Sequence, residues 1–355
     1  MASTIELPNF KGRPGWEFTD LSALDLDSYR HAPAVLSYLG PPTPTAPASG
    51  SLWDLPTPAL PEGVEVAADG DITVVTVARG VHVADPIPLT VVLAESGTIV
   101  NQHTRVVLEE GAQAEVWEQF LSQSDDLDGV LNLRTELILG DNSRLRYVSG
   151  QNLSEQSWVF GAQRAEVGRD ATLDWVALGF GSRSGHVLME TRLAGQGAEA
   201  RVTGAYATHG RQHIDFDTTQ EHAAENTTSD LAFRGVLQDR SSAVWKGNII
   251  VDPGAQKTDA FQDSRNLLIS KRAHADAIPG LEIQANDVRC THAAAVAQVD
   301  PEQLFYLRSH GLPEAEAKQL VIEGFLSALV ERFEVGPVRD VLAAALERRL
   351  AIILD

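Results

Sequence analysis

The middle of the chain contains the stretch Gly140-Asp141-Asn142-Ser143-Arg144-Leu145-Arg146, in which a polar turn leads into a short strand of alternating apolar and polar residues. The same arrangement recurs around Gly111, Gly168 and Gly195, and the four glycines are 29, 28 and 27 residues apart. A near-constant period of this size is typical of stacked coils or of propeller blades. The stretch therefore predicts one continuous repeat architecture.

Strand-like segments fill the body of the chain, from about Val64 to Val299. Apolar and β-branched residues alternate with polar ones at a period of two, for example in residues 72–77, 134–139 and 243–251. The chain lacks the blade motif that propellers usually carry, and sandwiches have no fixed period. We predict an all-β fold, a parallel β-helix, and keep an irregular sandwich with coincidental turn spacing as the alternative.

Three parts of the chain follow from these patterns. The proline-rich run at residues 41–50 predicts an extended linker, because proline can neither donate a ladder hydrogen bond nor continue a helix. We assign residues 1–50 to an N-terminal segment with this linker and residues 51–299 to the β-helix core. Residues 300–355 form a predicted C-terminal α-helical subdomain.

The C-terminal part changes to helical spacing at Asp300. That residue is suited to cap a helix, Pro301 to occupy its first turn, Gln303 to complete a capping box and Gly311 to end it. Two amphipathic helices are predicted to follow. Their apolar stripes consist of Leu320, Val321, Phe325, Ala328, Leu329 and Phe333 in the first helix, and of Val338, Val341, Leu342, Ala345, Leu346, Leu350 and Ile353 in the second. The stripes either cap the open end of the β-helix or dock a partner.

Composition argues against several classes of function. The 355 residues include 49 acidic and 28 basic ones, and a net charge of −21 repels nucleic acid and anionic membrane surfaces, so we expect neither as a partner. We find no export segment or membrane span and expect a cytoplasmic protein. Cys290 is the single cysteine, which suits a reducing compartment. Without a phosphate-binding loop, nucleophile elbow or dinucleotide fingerprint, the chain is not expected to catalyse a reaction itself.

One cluster of histidines and acids has even spacing. His209, His213, Asp215 and Asp217 would project from one face of a regular strand, where they could bind a cation or hydrolyse a glycosidic bond. A solvated strand face is the simpler interpretation. The competing hypothesis of a polysaccharide-active β-helix enzyme is weakened by the missing export segment and by carboxylates that share one strand instead of facing each other.

A second constellation is Cys290-Thr291-His292, just before the first predicted helix. Cysteine and histidine two residues apart on an extended strand project to the same side, which suits a soft metal, although two ligands cannot complete a tetrahedral site. A small buried thiol beside an ordinary histidine is the alternative.

The ordered match in residues 277–283, 286–292 and 300–311 resembles the C-terminal hallmark of the SufB/SufD family of iron–sulfur cluster assembly proteins. Residues 16–21 and the repeated strands are similar in style to family members. Within the family the chain is more similar to SufD. The SufB pattern has Glu-His-Glu where this chain has Thr291-His292-Ala293, and a cysteine near the position of Ser264. The resemblance implies that this chain alone is a poor cluster scaffold.

The resemblance further implies a right-handed parallel β-helix that pairs with a SufB-like scaffold and docks a SufC-like ATPase through its C-terminal helices. No cofactor is expected to be tightly bound to the isolated chain, and a transient iron–sulfur cluster is expected at the interface with the SufB-like partner. His292 is the better candidate ligand and Cys290 the second. The predicted interface residues are Cys290, Thr291, His292, Gln303, Leu304, Phe305, Tyr306, Leu307 and Arg308. A homodimer of the isolated chain is left open, as is a purely structural partner without a metal role.

Overall fold

The computed structural model describes residues 16–38, 50–53, 55, 59–69, 72–334 and 336–354. The predicted linker lies outside the described residues except for Gly50. The described strands are β1 (Arg30–Ala32), β2 (Val35–Tyr38), β3 (Val64–Asp69), β4 (Ile72–Val77), β5 (Ile87–Leu93), β6 (Thr98–Leu108), β7 (Gln113–Ser122), β8 (Gly129–Leu139), β9 (Arg144–Asn152), β10 (Trp158–Val167), β11 (Thr172–Gly179), β12 (Ser184–Leu193), β13 (Glu199–Thr208), β14 (His213–His222), β15 (Thr228–Leu237), β16 (Ser242–Val251), β17 (Asp259–Leu268), β18 (His274–Ile283) and β19 (Arg289–Gln298). The helices are α1 (Pro301–Ser309), α2 (Glu314–Val330) and α3 (Pro337–Leu354).

The strands form a parallel β-helix of about eight coils, which confirms the predicted fold class and not the sandwich alternative. Each coil gives one strand to each of two sheets. Sheet A contains the even-numbered strands from β4 to β18, and sheet B contains the odd-numbered strands from β5 to β19. At the N-terminal end, β3 pairs antiparallel with β4, and β2 pairs antiparallel with β5. At the other end, β18 and β19 have no further strand beside them in the described part of the chain.

The period detected in the sequence comes from turns that stack on one another. Gly111, Asn142, Asp170 and Gly197 hold equivalent places in successive turns, each with φ between 53° and 73°. Their backbone N–H groups donate to a carbonyl oxygen of the next turn at 2.8–3.2 Å. At Gly195 an added Cβ atom would lie 2.1 Å from the backbone nitrogen of Arg169, so only glycine fits there. Gly140, Gly168 and Gly195 thus open turns that touch their neighbours through the backbone, whereas Gly111 lies two places later in its turn and makes no such close contact.

Apolar side chains from both sheets fill the interior of the coils. The largest buried aromatic side chains in this interior are Tyr147, Trp175, Tyr206, Phe233 and Trp245. The outer face of sheet A is partly covered by the N-terminal segment, whose Trp16 ring lies 4.2 Å from the ring of His186. Parallel sheets are usually buried on both faces, and the covered part of sheet A follows this rule.

The C-terminal helices lie on the outer face of sheet B. Side chains of α2 and α3 pack against β9, β11, β13 and β15, through residues such as Val176 and Leu346. The suggestion that the apolar stripes cap the open end is therefore wrong. That end stays uncovered in the described residues, and the helices instead pack on the apolar outer face of sheet B. Arg349, nearly fully buried, donates to the carbonyl oxygen of Ala207 at 2.9 Å and anchors α3 to sheet B.

The predicted stripe of the third helix is confirmed, whereas that of the second is confirmed only at Leu329 and Phe333, which are buried. In α3, Val338, Leu342, Ala345, Leu346, Leu350 and Ile353 are buried. In α2 the buried residues are Ala317, Ile322, Leu326 and Leu329, while Leu320 is 49% exposed. Because α2 is apolar on two sides, its pattern could not identify the face that meets the sheet. No helix in the described ranges is long and apolar enough to span a membrane.

Helix α1 begins as predicted. The Asp300 carboxylate accepts from the N–H of Glu302 at 2.9 Å, Pro301 is the first helical residue, and Gly311 adopts a φ of 96° just beyond the end. The capping box is not formed, because no hydrogen bond joins the Gln303 side chain to Asp300 among the described residues.

Candidate functional site

The open end of the β-helix is formed by the two strands β18 and β19, each ten residues long. None of the residues of β19 is buried. The backbone N–H groups of Arg289 and Val299 donate to sheet B, so in a regular strand the N–H groups of the even-numbered residues between them face away from the sheet. A long edge of unpaired backbone groups is a template for pairing with another chain.

Strand β19 brings together the two predicted metal ligands. Cys290 packs against an apolar cluster that includes Ile249, Val251 and Ala260, so its thiol points towards the interior of the last coil. His292, two residues further on, lies on the same side and is exposed. The spacing therefore places both side chains at the mouth of the interior, and Thr291 between them points the other way.

Gln262 lies beneath the histidine. Its backbone is the direct neighbour of His292 in the β17–β19 register, and its side chain is fully buried. The amide Nε2 donates to the carbonyl oxygens of Gly247 and Gly280 at 3.3 Å and 3.2 Å. The sequence analysis missed this residue, because the step of 30 residues between Gln262 and His292 is longer than the period of 27–29 residues found in the sequence. The amide group of Gln262 is thus a polar group directly below His292 at the open end of the interior.

Burial and the nearby carboxylate of Asp259 raise the pKa of the Cys290 thiol. The group is therefore a protonated thiol at neutral pH, and metal binding would require it to lose that proton. Among the described residues no group of three or more His, Cys, Asp or Glu side chains is placed to hold a metal ion. A cluster bound here would need ligands in addition to Cys290 and His292.

Ser264 occupies the position at which SufB patterns place a cysteine. It lies on β17 beside Ala294 of β19, its side chain is fully buried, and its hydroxyl oxygen has no hydrogen-bond partner among the described residues. A hydroxyl group is a poor ligand for soft metals compared with a thiolate.

Helix α1 carries the remaining predicted interface residues. Phe305 is 75% exposed and Tyr306 is 62% exposed, which is unusual for aromatic side chains. A groove of about 720 Å³ separates α1 from α2. Its walls contain Gln303, Tyr306, Leu307, Leu320, Val321 and Phe325. Three residues of the predicted α2 stripe, Leu320, Val321 and Phe325, thus line an open groove.

The histidine and acid cluster is dispersed. His209 precedes β14 and bonds to Glu155, so only His213, Asp215 and Asp217 share a strand face. The carboxylate of Asp215 is 2% exposed and accepts from the Thr19 hydroxyl at 2.8 Å. Asp217 forms an ion pair with a lysine at 3.1 Å. Both carboxylates therefore have structural partners, which argues against the polysaccharide-cleaving alternative.

Comparison with known proteins gives consistent matches. The family model for the SUF system FeS cluster assembly SufBD core domain matches residues 91–325. A SufBD family protein of Mycobacterium tuberculosis is 33% identical over 288 residues, which is 79% of this chain and 71% of that protein. The SufD protein of Bacillus subtilis is 33% identical over 77% of this chain and 63% of its own length. The SufD protein of Escherichia coli is 30% identical over 79% of this chain and 67% of its own length.

Proposed function

Because this chain belongs to the SufB/SufD family of iron–sulfur cluster assembly proteins, we propose that it is the SufD-like subunit of a SufBCD-type complex. In this proposal the chain is a non-catalytic scaffold in the cytoplasm, and ATP hydrolysis takes place in a partner. The division of the chain at residues 50 and 300 is part of the same proposal. The observation that carries it is the open end of the β-helix. There the two long strands β18 and β19 each have one unpaired edge, and β19 contains the predicted ligands.

The SufB-like scaffold would pair with β18 and β19. Edges of this length are rarely left exposed in stable soluble proteins, because their free N–H and C=O groups invite pairing with other chains. A partner β-helix with a similar open end would pair with the free backbone N–H and C=O groups of both strands. It would also bury the apolar side chains of Ile283 and Val296, which are exposed in the isolated chain. The seam would place His292 and Cys290 between the two subunits.

The iron–sulfur cluster is the cargo of this seam. A neutral imidazole nitrogen of His292 would bind iron, and the partner would supply the remaining ligands because the described residues offer no complete site. Cys290 would join only if the partner's approach favours the thiolate over the thiol.

The SufC-like ATPase would dock on the groove between α1 and α2. Exposed aromatic side chains beside an apolar groove are typical anchors of protein–protein interfaces. Tyr306 lies on one side of the groove and Leu320 and Phe325 on the other, and Phe305 is exposed on α1 next to Tyr306. The opposite face of α2 packs on sheet B, so motion of the ATPase would be passed to the β-helix.

The ligand assignment is tested with His292→Asn in the whole complex. Asparagine has similar bulk but offers no imidazole nitrogen, so we expect a complex that assembles and contains several-fold less iron and sulfide after anaerobic expression. Cys290→Ser should have a smaller effect if the thiol only packs, and a comparable effect if it is a second ligand.

His274→Asn is the matched control, because His274 is an exposed histidine in the same last coil and bonds to Asp276. Size-exclusion chromatography of each variant reports assembly separately from cluster content. Wild-type iron and sulfide in an intact His292→Asn complex would refute the ligand role and leave this chain as a structural partner.

A further inference from the structure

Three consecutive turns between the sheets carry an arginine at the same place. The turns are residues 209–212, 238–241 and 270–273, and each is closed by a hydrogen bond from its fourth N–H to its first carbonyl oxygen at 3.1–3.3 Å. The third residue is Arg211, Arg240 or Arg272. The strands that follow, β14, β16 and β18, are in-register neighbours in sheet A. The arginines therefore form a column with steps of about 4.8 Å.

Lys271 adds a fourth cation to this column, and we call Arg211, Arg240, Lys271 and Arg272 the basic ridge. All four side chains are exposed. None of them forms an ion pair or a side-chain hydrogen bond with a described residue. This is unusual in a chain with a net charge of −21, in which most other described cations have a carboxylate partner. Like charges at this spacing repel one another unless anions lie between them.

The carboxylates near the basic ridge are already engaged. Asp239, in the middle turn, accepts from the backbone N–H of Gly210 at 3.0 Å. Glu155 and Asp276 bond to histidine side chains. None of these three carboxylates forms an ion pair with a cation of the ridge.

A cavity of about 760 Å³ lies beside the first row of the ridge. Its wall includes Arg211, Arg183 and His213, and also the carboxylates of Asp20, Glu155 and Asp276. The Nδ1 atom of His213 lies 2.8 Å from the hydroxyl oxygen of Ser242, whereas its buried Nε2 atom has no hydrogen-bond partner among the described residues. The surface next to the ridge is thus concave, whereas the unpartnered Nε2 atom of His213 is buried beneath it.

We propose that the basic ridge binds an acidic helical segment of a partner protein. The column of three turns extends over about 10 Å. Carboxylates at positions i, i+4 and i+7 of a helix span about 10.5 Å along the helix axis, so each carboxylate would face the basic side chains of one turn. A membrane or nucleic acid would present a much longer anionic surface to a molecule of charge −21 and is disfavoured. Single small anions gain little from exposed charges that water screens. The proposal does not depend on the ligand role of His292.

The test uses the full-length protein and a labelled helical peptide of about 20 residues with Glu at positions i, i+4 and i+7. Fluorescence anisotropy at low salt should show binding that weakens about 5-fold or more in Arg240→Gln/Arg272→Gln, and a peptide with Gln in place of Glu should not bind. Arg144→Gln/Arg339→Gln is the matched control, because it removes two other cations that have no ion pair among the described residues.

Equal affinity of the wild type and the ridge variant would overturn the proposal, and so would equal weakening by the control variant. A heparin fragment and vesicles containing phosphatidylserine are tested in parallel. Ridge-dependent binding of either one, without binding of the Glu peptide, would make the ridge a general polyanion site and overturn the assignment to a protein segment. Arg240, Arg272 and Arg144 are exposed and Arg339 is half-buried, so thermal melts of both variants are recorded and should be unchanged for the ridge variant.

Discussion

Glu118 carries a carboxyl group in the interior of the β-helix. The side chain is fully buried on β7. It accepts hydrogen bonds from the hydroxyl groups of Thr104, at 2.5 Å, and Tyr147. Burial raises the pKa of Glu118 to about 7, even though these two hydrogen bonds lower it. The folded protein therefore holds a proton on Glu118 at pH values where the unfolded chain has released it.

This proton makes stability depend on pH. The pKa of Glu118 is about 7 in the folded state and near 4.5 in the unfolded state, so its favourable contribution is complete below pH 4.5 and is lost as the pH rises through 7. The loss amounts to about 3 kcal/mol. Glu118→Gln cannot titrate, so urea unfolding should show the variant gaining stability relative to the wild type between pH 5 and pH 8. Glu199→Gln removes an exposed carboxylate from the same sheet and controls for net charge. A pH-independent difference for Glu118→Gln would contradict the assignment.

The pairing of Cys290 with His292 was predictable, because two residues separated by one other always share a strand face. Gln262 and Glu118 were not predictable in the same way. Their surroundings depend on which residues lie one coil away, and the coils range in length, so the register cannot be counted reliably across several turns. A local spacing rule reaches along one strand but not between strands.

Among the elements, the stacked turns give the sharpest expectation. Gly195→Ala would place a Cβ atom 2.1 Å from the backbone nitrogen of Arg169, so the two turns must separate, at a cost of about 1–3 kcal/mol. Gly324→Ala, in the interior of α2, has no atom within 4 Å of the new Cβ and should stabilise by up to about 1 kcal/mol. Thermal or urea unfolding of both variants checks the contrast. Equal stability of Gly195→Ala and the wild type would show that the turns are not in tight contact.

Helix α1 and the groove beside it lead to a prediction about ATPase binding. Phe305→Ala/Tyr306→Ala removes two exposed aromatic side chains and should abolish capture of a SufC-like ATPase, because such side chains are typical hot spots. Stability should change by less than about 0.5 kcal/mol, since neither side chain is buried. Ile352→Ala, an exposed apolar residue of α3, is the control. Normal capture by the double variant would exclude this groove as the docking site.

The elements also show where apolar periodicity is informative. Helix α3 has one apolar face, and its buried residues match the stripe read from the sequence. Helix α2 has two apolar faces, and the predicted stripe mixed them: Leu320 and Val321 line the groove, whereas Leu329 is buried against sheet B. The position of α2 on the outer face of sheet B was unpredictable. The sequence pattern of the sheet B strands indicates that their outer side is apolar, but it does not indicate which element packs there.

At the scale of the whole molecule, the two ends of the β-helix differ. The N-terminal end finishes in the short antiparallel strands β2 and β3, of four and six residues, whereas the other end finishes in the parallel ten-residue strands β18 and β19. We therefore expect the isolated chain to pair end to end with a second copy when no SufB-like partner is present. The repeat period made the β-helix itself predictable, but no sequence pattern distinguished the covered end from the open one.

Ala294→Pro tests this expectation. Its N–H belongs to the row that faces away from sheet B, so proline would block edge pairing and leave the bonds to β17 in place. Light scattering should show a dimer for the wild type and a monomer for the variant, with similar circular dichroism. A dimer that persists in Ala294→Pro would place the contact elsewhere on the surface.

Fibrils are also built from parallel strands stacked in register. The short strands β2 and β3 at the N-terminal end explain why this molecule need not form one. In the language of polymer chemistry, a unit with two reactive ends propagates a chain, whereas a unit with one reactive end only terminates it. Strands β2 and β3 are short and antiparallel to their neighbours, and short edge strands are poor templates for pairing, so the molecule has the second character. Any union through β18 and β19 uses up the available end, so growth stops at two subunits. Loss of β2 and β3 would convert a chain terminator into a monomer able to propagate.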